Sequence, residues 1–252
     1  MVVTPVLIAA ATLAGRRWGD RLSGWLVGLP LTSGPVVFFL VIDQGSEFAT
    51  RAALAVLLGT ISQAAFALVY ARTAVRRGWA ASALAGGAAF ALATIGFQRV
   101  SLPPMPAFAL VTGSLILAIL LMPRSRPPIE RAPPSPWDLP LRIVVATALV
   151  VSLTGIAPAI GAHLTGLLSP FPVYGGVLAI FAHRQGGGDA ANSVLKGLLF
   201  GLFAFGSFFV LLAVGLTRLG TGPAFLLATA AALLIQGLTL RAIRSPGDRT
   251  LR

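Results

Sequence analysis

The chain has 252 residues, 56% of them hydrophobic and 10% charged, with a mean hydropathy of +0.89. A soluble domain of this size needs more charge on its surface, so the composition predicts an integral membrane protein. The net charge of +12 does not indicate nucleic acid binding, because the basic residues lie between apolar runs. The absence of cysteine excludes disulfides and thiol nucleophiles, and His163 and His183 are too few for a histidine-cluster metal centre.

Nine apolar runs follow one another along the chain. A helix that crosses a bilayer needs about 20 mostly apolar residues. A cleaved signal peptide is not favoured for the first run, because its basic residues, Arg16 and Arg17, follow it. We therefore predict an all-α protein with nine transmembrane helices. The runs are 2–18, 22–42, 48–71, 79–97, 104–122, 141–160, 164–182, 190–216 and 221–240.

The segment between the fifth and sixth runs is rich in proline and charge. Its sequence, PRSRPPIERAPPSPWDLP at 123–140, predicts an extended, solvated linker. The chain then divides into a first half, a connector helix with the linker, a second half and a tail. These parts are 1–100, 101–140, 141–243 and 244–252.

The basic residues predict the orientation in the membrane. With nine spans, the first, third, fifth and seventh connections share one side with the C-terminus. Fifteen basic residues lie there and three on the other side, so we expect an inner-membrane protein with its N-terminus outside and its C-terminus cytoplasmic. The fifteen are Arg16, Arg17, Arg21, Arg72, Arg76, Arg77, Arg124, Arg126, Arg131, Arg142, Arg184, Arg241, Arg244, Arg249 and Arg252, and the three are Arg51, Arg99 and Arg218.

An internal repeat relates the two halves. With a constant shift of 142, positions 19–62 match 161–204 at eleven of 44 positions, whereas composition alone gives roughly four. Several identities are glycine or proline, which encode backbone geometry. The identical pairs are Gly19/Gly161, Leu22/Leu164, Gly24/Gly166, Leu26/Leu168, Pro30/Pro172, Gly34/Gly176, Phe39/Phe181, Gly45/Gly187, Ala49/Ala191, Leu57/Leu199 and Gly59/Gly201.

The repeat predicts two units inserted in opposite directions. Helices one to four map onto helices six to nine without gaps, and helix five has no counterpart. Corresponding helices are five apart, which is an odd number, so the two copies must point oppositely. Inverted repeats recur in secondary transporters, where the substrate site lies near the membrane midplane between the repeats.

Each half resembles the small four-helix GlpM-like membrane proteins. The second half carries GLLSPFPVYGGVLAIFAHRQGGGDAANS, a second helix punctuated by glycine and proline, then a polar turn with an acid opening the third helix. The first half departs from this pattern with TSGP where the second has YGGV. The resemblance spans about 190 residues and implies that a unit able to pair antiparallel was duplicated and fused. The family's name implies a link to glycerol metabolism, but no molecular activity carries over.

The second helix of each half is interrupted by proline and glycine. In hydrocarbon, broken backbone is tolerated only inside protein or beside a wet cavity, and matched breaks in two halves indicate a transporter site. The half-helix starts after the breaks would suit an anionic group. Alternatively, these residues only permit close crossing of the two copies. The candidate substrate-binding residues here are Pro30, Thr32, Ser33, Gly34, Pro35, Pro172, Tyr174, Gly175 and Gly176.

Charged residues follow each broken helix. Glu47 and Asp189 occupy the same register and either cap the next helix or act as gating or proton-linked carboxylates. Arg51 can pair with Glu47 along the helix, while Asn192 and Lys196 share a face with Asp189. Lys196 either contributes to substrate binding or snorkels to the cytoplasmic surface.

Other features predict helix packing. Gly197-x-x-x-Gly201 indicates a close-packing face, and a buried glutamine such as Gln236 is expected to bond to a neighbouring helix. The phenylalanines of helix eight are too numerous for one face and are expected to contact lipid. They are Phe200, Phe203, Phe205, Phe208 and Phe209.

No enzyme motif, metal box or cofactor site occurs, so no catalytic residue and no cofactor are expected. The sequence favours a small secondary transporter or lipid-linked flippase working by alternating access, with a small-molecule or lipid cargo and a lean towards an anion. It would act in the lipid bilayer as a monomer that is an internal pseudo-dimer. The alternatives are a channel with a fixed pore at the repeat interface and a non-transporting scaffold subunit.

Overall fold

A computed structural model describes residues 3–97, 100–124, 137–152 and 171–243, and these residues fold into helices without strands. Most of the linker, the start of the seventh apolar run and the C-terminal tail lie outside the described residues. The helices are α1 (Val3–Trp18), α2 (Asp20–Leu26), α3 (Ser33–Gln44), α4 (Ser46–Ala74), α5 (Trp79–Phe97), α6 (Pro104–Leu121), α7 (138–152), α8 (Val173–Leu219) and α9 (Thr221–Ile243).

The all-α prediction is confirmed, and five helices are long and apolar enough to cross a membrane. They are Ser46–Ala74, Trp79–Phe97, Pro104–Leu121, Val173–Leu219 and Thr221–Arg241. The helix α8, with 47 residues, measures about 70 Å by the helical rise, which exceeds a single crossing of about 30 Å. It is divided at Gly186 and Gly187, whose backbone angles are not helical.

Single glycines separate the helices at the junctions that the sequence placed between spans. Gly45 lies between α3 and α4 with φ 83° and ψ 169°, and Gly187 divides α8 with φ 72° and ψ −171°. This region of backbone space is open essentially only to glycine. The two glycines are 142 residues apart, as are the starts of α5 at Trp79 and α9 at Thr221.

The helix α2 crosses α8 at a contact made by glycines from both sides. Gly24 lies against the backbone of Val194, Gly28 against Gly201, and Gly197 against the carbonyl group of Arg21. No side chain fits between these backbones. The predicted close-packing face at Gly197 and Gly201 is therefore confirmed.

The expectation that the helix-eight phenylalanines face lipid is wrong for three of the five. Phe205, Phe208 and Phe209 are 6%, 4% and 0% exposed, whereas Phe200 and Phe203 are half-buried. The reason is that α8 is surrounded by α2, α4, α6 and α9 and so buries most of its circumference. Phe208 packs edge-on against Phe209 at a ring distance of 5.1 Å.

One end of the bundle collects arginines, and we call it the arginine-rich end (Arg16, Arg72, Arg142 and Arg184). Arg16 at the end of α1 lies 3.0 Å from Asp138 at the start of α7. Arg72 near the end of α4 donates to the carbonyl of Leu121 at the end of α6, at 3.3 Å. Arg184 lies over the ring of Trp79 at the start of α5, at 5.7 Å. These contacts place the basic ends of alternate helices together.

Candidate functional site

The first interrupted helix has a defined hydrogen-bond pattern at its break. After α2 ends at Leu26, the N–H of Leu31 donates to the carbonyl of Leu29 at 2.8 Å, across Pro30. The N–H of Gly34 then donates to the carbonyl of Pro30 at 2.9 Å, as α3 begins. The first of these bonds is that of a γ-turn, which reverses the chain more sharply than a helix does.

The second interrupted helix has the same hydrogen bonds 142 residues later. The N–H of Val173 donates to the carbonyl of Phe171 at 2.8 Å, and the N–H of Gly176 donates to that of Pro172 at 2.7 Å. Pro172 has φ −79° and ψ 61°, the backbone conformation of an inverse γ-turn. The same two hydrogen bonds therefore precede the start of α3 and the start of α8.

Side chains across the break regions make reciprocal contacts. A Cβ on Gly34 would lie 3.3 Å from Cζ of Phe208, and a Cβ on Gly176 would lie 3.5 Å from Cζ of Phe66. The shift of 142 converts Gly34 into Gly176 and Phe66 into Phe208. Contacts that exchange partners in this way are what a two-fold axis generates, whereas a simple translation between copies does not require them.

Two pairs of helices that the shift of 142 relates meet with opposite ends together. The C-terminal end of α1 meets the N-terminal end of α7 through Arg16 and Asp138. The C-terminal part of α4 likewise meets the part of α8 that follows its kink. There, the side-chain amide of Asn192, oriented to satisfy its neighbours, donates to the carbonyls of Ala71 at 3.2 Å and Gly188 at 3.3 Å.

Both interrupted helices pack on the same stretch of α8. Gly28, just before the first break, contacts Gly201, while Gly175, just after the second, contacts the side chain of Leu198. Of the predicted site residues, Gly175 thus contacts the segment between 197 and 201, and Gly28, two residues before Pro30, contacts the same segment. Gly34, Pro172, Gly175 and Gly176 are buried, Pro30, Thr32, Ser33 and Tyr174 are half-buried, and Pro35 is exposed.

Polar side chains near the breaks form hydrogen bonds between helices. The Tyr174 hydroxyl shares a 3.0 Å hydrogen bond with the hydroxyl of Thr4 on α1. The indole N–H of Trp25 donates to Thr239 at 3.0 Å, and the Gln236 amide donates to the carbonyl of Trp25 at 2.9 Å. The last bond confirms the predicted role of Gln236 between helices. Its Oε1 atom is buried and has no hydrogen-bond partner among the residues that the structure describes.

The predicted gating residues Glu47 and Arg51 lie at the end of the bundle where α4 begins. Glu47 and Arg51 are both exposed, and no ion pair joins them in the described part of the chain. Asn192 is 2% exposed and is bonded to backbone, so its face is turned towards α4. Lys196 is half-buried and lies one residue before Gly197, which contacts Arg21. The positive charge of Arg21 repels the positive charge of Lys196.

A buried ion cluster at the arginine-rich end was missed by the sequence reasoning. The Asp138 carboxylate, 3% exposed, accepts hydrogen bonds from Arg16 and Arg142 at 3.0 Å each and from the amide of Gln185. Arg142 also donates to Gln185 at 3.1 Å and lies over the ring of Phe181 at 5.1 Å. Three helices, α1, α7 and α8, meet at this carboxylate.

Two opposing effects act on the pKa of Asp138. Burial raises the pKa, but the hydrogen bonds and charge of Arg142, together with Arg16 and Gln185, outweigh it and hold the pKa below its ordinary value. The carboxylate is therefore charged at neutral pH. The i, i+4 spacing of Asp138 and Arg142 was the sequence signal for half of this cluster.

Comparison of the chain with protein-family models, with curated proteins and with solved structures finds no match. Within the described ranges, no group of three or more His, Asp or Glu side chains could hold a metal ion. The assignment of function therefore depends on the geometry of the helices themselves.

Proposed function

We propose that this chain is a small secondary membrane transporter or lipid-linked flippase, built from two inverted four-helix repeats that α6 connects. The two repeats alternate between exposing a shared site to one side of the membrane and to the other. The monomer is the functional unit, since it contains both copies. The arginine-rich end faces the cytoplasm, in accordance with the positive-inside rule.

One observation carries this proposal: the matched backbone breaks at Pro30 and Pro172 and the reciprocal contacts around them. A pair of interrupted helices at corresponding positions of inverted repeats is the arrangement that binds substrate in several transporter folds. The first break also lies at a depth that suits a site near the membrane midplane. The helix α3 has 12 residues, so the break is about 18 Å from the end of the bundle at Gly45.

The chemistry at the breaks favours an anionic group on the cargo. The helix α3 and the first part of α8 begin at the breaks, and neither start is capped by the side chain of its N-cap residue, Thr32 or Pro172. The N–H groups of Gly34, Val173 and Gly176 are already bonded within the turns, so the attraction for negative charge comes from the positive ends of the two helix dipoles. Lys196, one residue before the α2 contact, adds a full positive charge on the cytoplasmic side of the same segment.

A flux assay tests the proposal. Purified protein in liposomes should move an organic anion or an anionic lipid with saturable kinetics, and Pro30→Ala and Pro172→Ala should each reduce the rate. Pro104→Ala is the matched control, because that proline lies at the start of α6 and outside either break. Absence of flux for every anion and lipid tried, with cellular function intact in both proline variants, would refute the proposal.

The same assay separates the alternatives. Ohmic current without saturation favours a channel with a fixed pore. A scaffold subunit would tolerate alanine at Glu47, Asp189 and Lys196 but would lose function when helix surfaces are changed. The likeness of each half to the GlpM-like proteins stays a prediction about ancestry. It would explain why one backbone interruption occurs twice.

A further inference from the structure

The ion cluster around Asp138 joins the two halves of the chain at one end. Arg16 belongs to the first half, while Asp138, Arg142 and Gln185 lie in or beside the second. The pair of Arg142 and Asp138 lies within α7, and the contacts of Gln185 with both of them connect α7 with α8. Within this cluster, the 3.0 Å ion pair between Arg16 and Asp138 is the contact that crosses between the halves. At the same end, Asn192 also bonds to the carbonyl of Ala71 and His183 to Tyr70.

The opposite end of the bundle is held differently. The shift of 142 places Asp43 at the position equivalent to Gln185, and both are exposed, but no ion pair forms at Asp43 in the described part of the chain. In the described part of the chain, the contact seen there is between aromatic rings, Phe38 and Phe225, at 5.3 Å. An ion pair therefore joins the two halves at one end of the bundle, and an aromatic contact joins them at the other.

The exposure of equivalent residues shows the same asymmetry. Phe39 on α3 is 61% exposed and its equivalent Phe181 on α8 is 7% exposed, because Arg142 lies over the ring of Phe181. Val36 is 53% exposed and its equivalent Leu178 is fully buried. The half that contributes to the ion cluster is packed more tightly than its counterpart.

We propose that Arg16, Asp138, Arg142 and Gln185 form an ionic latch that closes the arginine-rich end between the two halves. This inference rests on the proposed alternating-access function, in which this conformation is the one closed at that end. Opening there separates Arg16 from Asp138. The carboxylate keeps Arg142 and Gln185 as partners, so it is never left buried without a counter-charge. Loss of Asp138 altogether would instead strand Arg142, which is 8% exposed.

Labelling of single cysteines tests the latch without any cargo. The natural chain has no cysteine, so each reporter is unique. Ala71→Cys lies at the arginine-rich end of α4 and Ala49→Cys near the other end of the same helix, and both alanines are fully buried. In nanodiscs, Arg16→Gln should raise the maleimide labelling rate at position 71 about tenfold, as expected for loss of one charged hydrogen bond. The rate at position 49 should stay unchanged or fall.

Arg17→Gln is the matched control, because it removes the same charge from the neighbouring residue. Arg17 is exposed, and in the described structure its charged group lies over the ring of Trp18. Arg16→Lys keeps the charge and should stay close to the wild-type rate. Equal labelling at position 71 in the Arg16→Gln and Arg17→Gln variants overturns the latch. Equal increases at positions 71 and 49 also overturn it, because they indicate general loosening. Selective labelling at position 71 combined with no flux in liposomes would retain the latch and reject the transport function.

Discussion

Adding one methyl group at the crossing of α2 and α8 should destabilise the protein. In Gly197→Ala, the new Cβ would collide with the carbonyl oxygen of Arg21 and would lie 2.8 Å from its carbon and 3.0 Å from the amide nitrogen of Trp25. These are backbone atoms of a helix, so relief requires α2 to move away from α8. Such overpacking costs about 1–3 kcal/mol, whereas the better helix propensity of alanine returns up to about 1 kcal/mol.

With the full return from helix propensity, the expected net loss for Gly197→Ala is therefore up to about 2 kcal/mol. Gly113→Ala is the control, since no atom lies within 4 Å of the Cβ it would add to α6. That variant should be neutral or more stable by up to about 1 kcal/mol. Thermal unfolding in detergent, followed by the intrinsic fluorescence of Trp25 and the other three tryptophans, measures the stability of both variants. The reasoning would be refuted if Gly197→Ala unfolded at or above the temperature of Gly113→Ala.

Three further predictions concern the site and the topology. Tyr174→Phe removes the hydrogen bond to Thr4 and should lower the free energy of unfolding by about 0.6 kcal/mol, measured by the same melting assay. Because the folded pKa of Asp138 is lowered, its contribution to stability is complete above the unfolded pKa of about 3.9 and is lost as the pH falls through the folded value. Acid titration of melting temperature should show this loss in the natural chain and not in Asp138→Asn. Single cysteines at positions 47 and 189 should label from opposite sides of the membrane.

Each of these predictions has a contradicting result. A Tyr174→Phe variant as stable as the natural chain would show that the Thr4 bond contributes nothing measurable. An acid transition that persists unchanged in Asp138→Asn would assign it to other carboxylates. Labelling of both cysteines by an impermeant reagent from one side would contradict the inverted topology.

The helix boundaries were largely predictable because they are encoded by single residues. Glycine at 45 and 187 allows a backbone conformation that other residues avoid, and proline at 30 and 172 removes a hydrogen-bond donor from a helix. Both effects are local, so the sequence alone locates them. The start of α5 at residue 79 and of α9 at residue 221 agrees with the predicted runs to the residue.

The burial of helix eight was not predictable from its composition. In a membrane protein, lipid and protein interior are similarly apolar, so a phenylalanine gains little by choosing one over the other. Hydrophobicity therefore does not distinguish Phe209, which is fully buried, from Leu226 on α9, which is 73% exposed. The distinction comes from how many helices surround each segment, and that number is a property of the whole bundle.

The partner of Asp138 could be predicted only in part, and the reason is the distance along the chain. Arg142 is one helical turn away, so helix geometry alone brings it close. Arg16 is 122 residues away and reaches Asp138 only because α1 and α7 run in opposite directions at the same end. If the two halves pointed the same way, the end of α1 would face the far end of α7. If the two halves are inverted as we propose, the ion pair that crosses them follows from the odd offset of five between corresponding helices, and α6 makes that offset odd.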